Sequence, residues 1–390
     1  MIRRLATVCA AILLTAGCSS IGNTVDALNP FSKSAPKVKP ATLTALQPTA
    51  ELTGLWQQRI GPAETFAFVP AVAGSSVFAA ARDGSLARFD GGRQVWRINA
   101  GQALSGGVGS DGRLVVVGTS KGEVLAFHAD DGRPAWQARA SSEILAAPAV
   151  MGDLVAVRSG DARIFGLAAA DGQRRWVYQR STPALSLRSS VGVTLTDKAL
   201  YAGFPGGKLV AIALNNGAAL WEATVALPRG TTELERIADV ASDPVVAGGT
   251  VCAVAYQGRV ACFDAENGRQ QWARDVSSIA GLDVGRNAVF VTDEKSAVHA
   301  FQLSSGASLW KQDQLFMRGV TRPFATGRHV AIADFEGFVH LLAVEDGAFA
   351  ARQATDGSAV LAAPRRLTDN SFVVQTSNGA LHALSVLNIR

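Results

Sequence analysis

The sequence predicts an all-β protein, an eight-bladed β-propeller of four-stranded blades in which N- and C-terminal strands share one blade and close the ring. Two observations predict this fold. All seven tryptophans of the 390-residue chain fall in one series, with spacings of 40, 40, 40, 45, 51 and 38 residues. A glycine stands four residues before each tryptophan after the first, and a strand pattern, led by a glycine in most units, precedes each of these glycines. A period of about 42 residues with four strand signals is typical of a propeller blade.

The tryptophans are interpreted as structural residues, because a ligand-stacking platform would need only one or two of them. A large ring on the outer strand of each blade would fill the gap to the next blade. An eighth unit has lost its tryptophan, since Gly347 is followed four residues later by Ala351. The series consists of Trp56, Trp96, Trp136, Trp176, Trp221, Trp272 and Trp310.

The strands are predicted from alternation of apolar and other residues after a glycine turn, as in residues 122–127 and 258–263. An apolar strand such as residues 114–117 precedes most of these turns, and several units add a short strand near a proline. Residues 55–57 supply an outer strand at the start of the series, and residues 379–384 stop before any tryptophan. These two fragments complete one blade.

The N-terminus predicts export and lipidation. Residues 1–17 combine Arg3 and Arg4 with an apolar run of about ten residues, which is typical of a signal peptide. Cys18 follows Ala-Gly and resembles the lipidated cysteine of a bacterial lipobox, with palmitate among its expected acyl chains. Ser19 resembles the sorting residue of outer-membrane lipoproteins. A plain secretory signal with a chance cysteine is the alternative. We expect residues 18–50 to form a flexible tether and residues 51–390 the propeller.

The chain is only mildly basic, and its charge gives no reason to expect a nucleic-acid partner. The chain has 37 Lys and Arg against 32 Asp and Glu. Without Arg3 and Arg4 of the signal, 35 against 32 leaves +3, and the charges are scattered.

The remaining cysteines and three histidines leave alternatives open. Cys252 and Cys262 lie on the two arms of one predicted hairpin, where a disulfide and two buried thiols are both possible. His299, His340 and His382 share one position in three consecutive repeats. We expect them to be polar residues of the outward strand face, without recurring carboxylates beside them, rather than a metal site.

The glycine–tryptophan repeat over residues 51–390 resembles the quinoprotein (PQQ-dehydrogenase-like) propellers. With a lipobox in front, it is similar to the BamB family of outer-membrane β-barrel assembly lipoproteins. This resemblance implies a non-catalytic scaffold on the periplasmic face of the outer membrane. The implied partners are the POTRA domains of BamA, other lipoproteins of the assembly complex and, secondarily, unfolded outer-membrane proteins.

The enzymatic alternative is a degenerate quinoprotein that binds a small molecule or acts as a periplasmic redox enzyme. Quinoprotein dehydrogenases resemble one another in a pair of adjacent cysteines and in calcium ligands. This sequence has no Cys-Cys pair and no Asp-x-Asp-x-Asp-Gly loop. We therefore expect neither a cofactor nor a catalytic residue.

Two insertions mark the candidate interaction site. The two longest tryptophan spacings place them after Trp176 and after Trp221, in connections between an outer strand and the next inner strand. Both should emerge on one face and form one patch of apolar anchors with a charged rim. The alternative is that their leucines fold back onto the propeller. In the BamB resemblance, Leu185 and Leu187 enter a partner groove, Arg188 pairs with an acidic group, and Asp239 pairs with a basic group. The candidate partner-binding residues are Leu185, Leu187, Arg188, Glu233, Arg236 and Asp239.

Overall fold

The computed structural model describes residues 38–388, and its propeller is one compact unit that begins at Ala41. The predicted signal peptide and Cys18 lie outside the described residues. Within residues 38–388 there is no helix that could span a membrane. Eight four-stranded antiparallel sheets make up the propeller, which confirms the predicted fold.

Seven blades follow one another in chain order, and in each the first strand lies at the central channel and the fourth at the rim. Their strands are as follows: blade 1, β2 Ala71–Ala73, β3 Ser76–Ala80, β4 Ser85–Asp90 and β5 Arg93–Asn99; blade 2, β6 Leu104–Ser110, β7 Leu114–Thr119, β8 Glu123–His128 and β9 Pro134–Arg139; blade 3, β10 Ala149–Met151, β11 Leu154–Arg158, β12 Ile164–Ala168 and β13 Arg174–Tyr178; blade 4, β14 Thr194–Leu195, β15 Leu200–Phe204, β16 Lys208–Ile212 and β17 Ala219–Thr224. Blades 5 to 7 continue the series: blade 5, β18 Val245–Ala247, β19 Thr250–Val254, β20 Arg259–Asp264 and β21 Gln270–Asp275; blade 6, β22 Gly281–Gly285, β23 Ala288–Thr292, β24 Val298–Gln302 and β25 Ser308–Gln312; blade 7, β26 Phe324–Thr326, β27 His329–Ala333, β28 Phe338–Ala343 and β29 Phe349–Ala354.

Blade 8 is built from both ends of the described chain. Its strands are β30 Arg365–Thr368, β31 Ser371–Gln375, β32 Ala380–Asn388 and, at the rim, β1 Ala50–Arg59. The β1–β32 register runs from Ala50 opposite Asn388 to Arg59 opposite Ala380. The predicted closure of the ring by strands that share one blade is therefore confirmed.

The core lies between neighbouring blades, because the second and third strands of each sheet are covered on both faces. Strands β3, β11 and β23 are buried along their whole length. One buried cluster joins Val77 and Phe89 of blade 1 to Val373 and Leu381 of blade 8. Burial on both faces explains why these strands are almost continuously apolar in sequence.

The tryptophans lie at the joints between blades. Six indole Nε1–H groups donate to a carbonyl of the following blade, as from Trp272 to the Leu303 oxygen at 2.6 Å. Each ring also covers a glycine of that blade. A Cβ placed on Gly268 would lie 2.6 Å from the Trp221 ring, and the φ of Gly268 is +72°. The glycine is thus required both by its backbone angle and by the ring above it.

Cys252 and Cys262 lie directly opposite each other on β19 and β20 and form a disulfide. Both are almost fully buried. Of the two alternatives left open by the sequence, the structure has the disulfide.

Residues 41–49, called the strap below, differ from the expected tether that reaches residue 50. The Ala41 N–H donates to the Phe316 oxygen at 2.9 Å, and the Thr49 N–H donates to the Ala350 oxygen at 2.9 Å. Arg352 donates to the Thr44 oxygen at 2.8 Å. The prediction was wrong for the strap because arginines distant in sequence satisfy its backbone, and its composition alone does not reveal them.

The histidine prediction was also wrong in part, because two of the three histidines pair with carboxylates. His340 is fully buried, and its Nε2 lies 3.1 Å from Asp334 Oδ2 while Arg352 donates to its Nδ1 at 3.1 Å. His299 Nε2 lies 2.9 Å from Asp293 Oδ2. Each aspartate comes six residues before its histidine, at the start of the same hairpin turn. These histidines therefore hold turns in place.

Candidate partner-binding surface

The loop face is the face that carries the turns between second and third strands together with the connections between blades. Both insertions lie on it. The first insertion, residues 179–193, connects blades 3 and 4, and the second, residues 225–244, connects blades 4 and 5. We call the surface formed by these two insertions the loop patch.

Asp239 joins the two insertions. Its carboxylate accepts hydrogen bonds from the Leu187 N–H at 2.7 Å and from the Gly206 N–H at 3.0 Å. Its own carbonyl accepts from the Tyr256 N–H at 2.8 Å. One residue thus links the first insertion to the hairpin turns of blades 4 and 5. The expectation that both insertions form one contiguous patch is confirmed.

The expected role of Asp239 needs correction. Only 3% of this residue is exposed, and its two oxygens are already engaged by backbone N–H groups. It is therefore unavailable as a surface acid for a basic group of a partner. A buried carboxylate needs such donors, and here it sets the position of the first insertion.

The two leucines of the first insertion differ in exposure. Leu185 is 46% exposed, whereas Leu187 is half-buried. Leu187 lines a cavity of about 170 Å³ together with Leu145, Val191 and Val240. Leu187 thus matches in part the alternative that these leucines fold back onto the propeller, whereas Leu185 presents its side chain to solvent.

Arg188 has a partner within the chain. Its Nε and Nη2 donate to the two carboxylate oxygens of Glu143, both at 2.8 Å. Glu143 lies in the connection between blades 2 and 3, and its hydrogen bonds raise the pKa of Arg188. Since the Arg188 side chain is 65% exposed, this pair is a surface contact. Arg188 therefore already pairs with an acidic group of its own chain. An acidic group of a partner would have to compete with Glu143 for it.

The second insertion contains a capped turn. The Glu235 carboxylate accepts from the N–H groups of Thr231 at 2.9 Å and Thr232 at 3.0 Å, while Thr232 Oγ1 accepts from the Glu235 N–H at 3.2 Å. This reciprocal arrangement is a capping box. The backbone donors lower the pKa of Glu235 to about 2. The turn therefore holds its exposed residues in one orientation.

The capped turn presents charged and apolar side chains to solvent. Glu233 and Arg236 are exposed and form no ion pair with any residue between 38 and 388. Leu234, between them, is 68% exposed, and Leu227 at the start of the insertion is 60% exposed. Sequence reasoning did not select Leu227 and Leu234, although an apolar residue between Glu233 and Glu235 was the signal for one of them.

Arg158 is a second residue that the sequence did not single out. It is buried beneath the first insertion, donates to the Gly203 oxygen, and lies 5.0 Å from the centre of the Phe204 ring. Burial lowers its pKa to about 10, and the Asp239 and Asp243 carboxylates oppose that effect. Arg158 therefore supplies the positive charge that accompanies buried Asp239.

The central channel was the other candidate site. It encloses about 600 Å³ and is lined by Asp243, Asp283, Arg322 and Arg365 among others. Asp243 accepts from the Gly192 N–H at 2.6 Å, and Asp283 accepts from the Ala325 N–H at 2.8 Å. Its two carboxylates are therefore occupied by the backbone of neighbouring strands.

The fold and the loop patch together define a class of protein, a propeller that serves as a binding scaffold. Apolar side chains on a pinned backbone, with charges around them, suit recognition of a protein surface. Residues 82–312 match the family model described as "Outer membrane protein assembly factor BamB". The chain belongs to the BamB family, whose members are named as assembly factors and not as enzymes.

Relatives and solved structures agree with this assignment. The chain is 42% identical to the BamB of Bordetella pertussis over 96% of this chain and 95% of that protein. The crystal structure of BamB from Moraxella catarrhalis is 28% identical, with a TM-score of 0.80 over 86% of this chain and 100% of that one. A quinohemoprotein alcohol dehydrogenase from Comamonas testosteroni has a TM-score of 0.67 over 86% of this chain and 76% of that one. At 12% identity, that likeness shows the fold alone.

Proposed function

We propose that this chain is a non-catalytic scaffold subunit of the outer-membrane β-barrel assembly machinery and that it binds the POTRA domains of BamA through the loop patch. The observation that supports this most directly is the joining of both insertions at Asp239. Leu185, Leu227 and Leu234 are exposed on the surface that the two joined insertions form. Such pre-organised apolar side chains bind without a large ordering cost.

A binding titration tests the patch. The soluble chain from residue 41 is titrated with the POTRA region of BamA, alongside a Leu185→Ser/Leu234→Ser variant. We expect the variant to bind about tenfold more weakly or worse, because hot-spot side chains contribute about 1–2 kcal/mol each. Leu220→Ser/Leu309→Ser is the matched control, since both leucines are similarly exposed on outer strands. Equal binding by all three proteins would contradict the proposed site.

Arg188 allows a sharper test, because its internal partner is known. Arg188→Glu breaks the Glu143 pair and would reverse a charge at the interface. The double variant Arg188→Glu/Glu143→Arg restores the internal pair with the charges exchanged. If Arg188 contacts an acidic group of BamA, binding stays weak in the double variant. Full recovery would show that Arg188 acts only by fixing the first insertion.

We further propose that acyl chains on Cys18 hold the protein on the periplasmic face of the outer membrane. The apolar run, the Ala-Gly-Cys18 sequence and Ser19 support this. In the Gram-negative host, Cys18→Ala should lose the acylated N-terminal peptide by mass spectrometry and leave the outer-membrane fraction. An unacylated wild-type protein would indicate the plain secretory signal instead.

A further inference from the structure

A second apolar surface lies on the loop face, away from the two insertions. Phe316 and Met317 belong to the connection between blades 6 and 7, and Phe335 lies in the turn between β27 and β28. Each of these residues is 39% exposed. We call these three residues the Phe–Met patch. Solvent-exposed aromatic and methionine side chains in one cluster are typical of an interaction site.

The backbone beneath the Phe–Met patch is firmly held. The Met317 N–H donates to the Lys295 oxygen at 2.9 Å, and the Phe335 N–H donates to the Arg318 oxygen at 3.1 Å. Arg318 is buried and pairs with Asp334 at 2.7 Å. The apolar side chains are therefore presented by a fixed surface and not by a loose loop.

The strap joins the propeller at this patch. The Ala41 N–H donates to the Phe316 oxygen, and Arg318 donates to the Ala41 oxygen at 3.0 Å. Residues 19–40, 22 in number, separate Cys18 from this point. If they form the flexible chain that their composition predicts, their root-mean-square span is about 26 Å. The point of the propeller that is closest along the chain to the proposed anchor is thus the Phe–Met patch.

We propose that the Phe–Met patch contacts the phospholipid surface in which Cys18 is anchored. This inference rests on the proposed lipidation. A tethered contact behaves as an intramolecular one, with an effective concentration on the order of millimolar, so even weak affinity suffices. The patch thereby limits the orientations of the propeller and fixes how the loop patch is presented to its partner.

The charges around the Phe–Met patch indicate how it would bind lipid. Lys295 and Lys311 are exposed there, but so are Glu294, Asp313 and Glu336. Because the basic side chains do not outnumber the acidic ones, attraction to anionic headgroups adds little. The contact should be driven by apolar burial and should depend little on salt or on the fraction of anionic lipid.

The test uses the full, lipidated chain in vesicles of phosphatidylethanolamine and phosphatidylglycerol. An environment-sensitive fluorophore is attached at Lys295→Cys, beside the patch, or at Glu266→Cys in the β20–β21 turn of the opposite face. We expect the label at position 295 to shift to the blue and to be shielded from iodide, and the label at position 266 to stay open. In the variant Phe316→Ser/Met317→Ser/Phe335→Ser, the labels at positions 295 and 266 should have the same emission and be quenched equally by iodide. Phe335→Glu alone replaces this variant if the triple substitution prevents folding.

Each outcome has one meaning. Equal quenching at positions 295 and 266 in the unaltered protein overturns the proposal. Shielding of position 295 by POTRA domains without vesicles also overturns it and assigns the patch to a protein partner. A loss of shielding in 0.5 M salt, roughly a fivefold cut in Debye length from 0.02 M, contradicts the apolar mechanism. Failure of the lipidation itself is distinguishable, because the chain would then not remain with the vesicles.

Discussion

Two kinds of contact join neighbouring blades of the propeller. At the rim, Trp272 of blade 5 covers Gly306 of blade 6 and donates to the Leu303 oxygen. On the loop face, Asp239 accepts backbone hydrogen bonds from Leu187 and Gly206. The first joint combines a packed ring with one hydrogen bond and recurs around the ring, whereas the second is a buried carboxylate that stands outside the repeat. A repeated joint carries general stability, and a singular one positions a particular surface.

The largest expected effect is at the repeated joint. Trp272→Ala removes a buried ring and its hydrogen bond, and should lower the free energy of unfolding by about 3–5 kcal/mol. Trp56→Ala should cost less, because the Trp56 ring is more exposed and its N–H donates to none of residues 38–388. Calorimetry of both variants measures the difference. Equal transition temperatures would show that the hydrogen bond and deeper burial of Trp272 add nothing.

A smaller loss, of a different kind, is expected at the singular joint. Asp239→Ala leaves the Leu187 and Gly206 N–H groups without their acceptor, which should cost about 1–3 kcal/mol. Amide exchange should accelerate at Leu187 and stay unchanged at Trp272. POTRA binding should weaken although Asp239 itself is buried. Glu266→Gln is the control, since Glu266 is exposed on the opposite face and should affect neither stability nor POTRA binding.

If Asp239→Ala were as stable as the parent protein and yet failed to bind, Asp239 would be a direct contact and not a positioning residue. If binding were intact while the Leu187 amide exchanged freely, the order of the first insertion would be irrelevant to recognition. Either result would contradict the view that the Asp239 joint positions a binding surface whereas the tryptophan joints stabilise the fold.

The smallest effect concerns pH and the turn of blade 7 beside the strap. Burial lowers the pKa of His340, against the attraction of Asp334, while the positive charges of Arg352 and Arg318 lower it further. The unfolded chain, with a histidine pKa near 6.5, then binds the proton more readily than the folded one. Stability should therefore fall as pH drops below about 6.5, by up to about 1.4 kcal/mol per pH unit from this residue.

His340→Gln should flatten that decline, and His128→Gln, at an exposed position, should leave it unchanged. Some decline should remain in His340→Gln, because burial also lowers the pKa of His329 and His382. Denaturant titrations from pH 7 to pH 5 measure the slopes. Parallel slopes for His340→Gln and the parent protein would show that His340 is not neutralised by folding.

The features that the sequence predicts well are the repeated ones. Seven tryptophans and their glycines define the period, and residues 55–57 and 379–384 define the closing blade, because periodic apolar patterns have few alternative interpretations. The two insertions were found as departures from that period. Their location on one face follows from the fact that both lie in connections between the outer strand of one blade and the inner strand of the next.

What the sequence could not predict depends on single long-range contacts. Nothing local shows that Asp239 turns inward, that Glu143 pairs with Arg188 from 45 residues away, or that Arg352 satisfies the strap. The resemblance to the BamB family assigns Asp239 and Arg188 to a partner, and nothing in the local sequence contradicts that assignment. Their actual neighbours are set by the ring, which brings distant connections side by side.

Closure of the ring has a consequence for the order of assembly. Blades 1 to 7 are built from consecutive hairpins, so each can form as soon as its own residues have emerged. Strand β1 is different, because its partner β32 begins at Ala380, 321 residues after Arg59. Until then β1 is a ten-residue strand with an unpaired edge, which is prone to wrong pairing. The end of the propeller that is translated first is therefore the last to be locked, and a chain cut short before Ala380 remains an open ring.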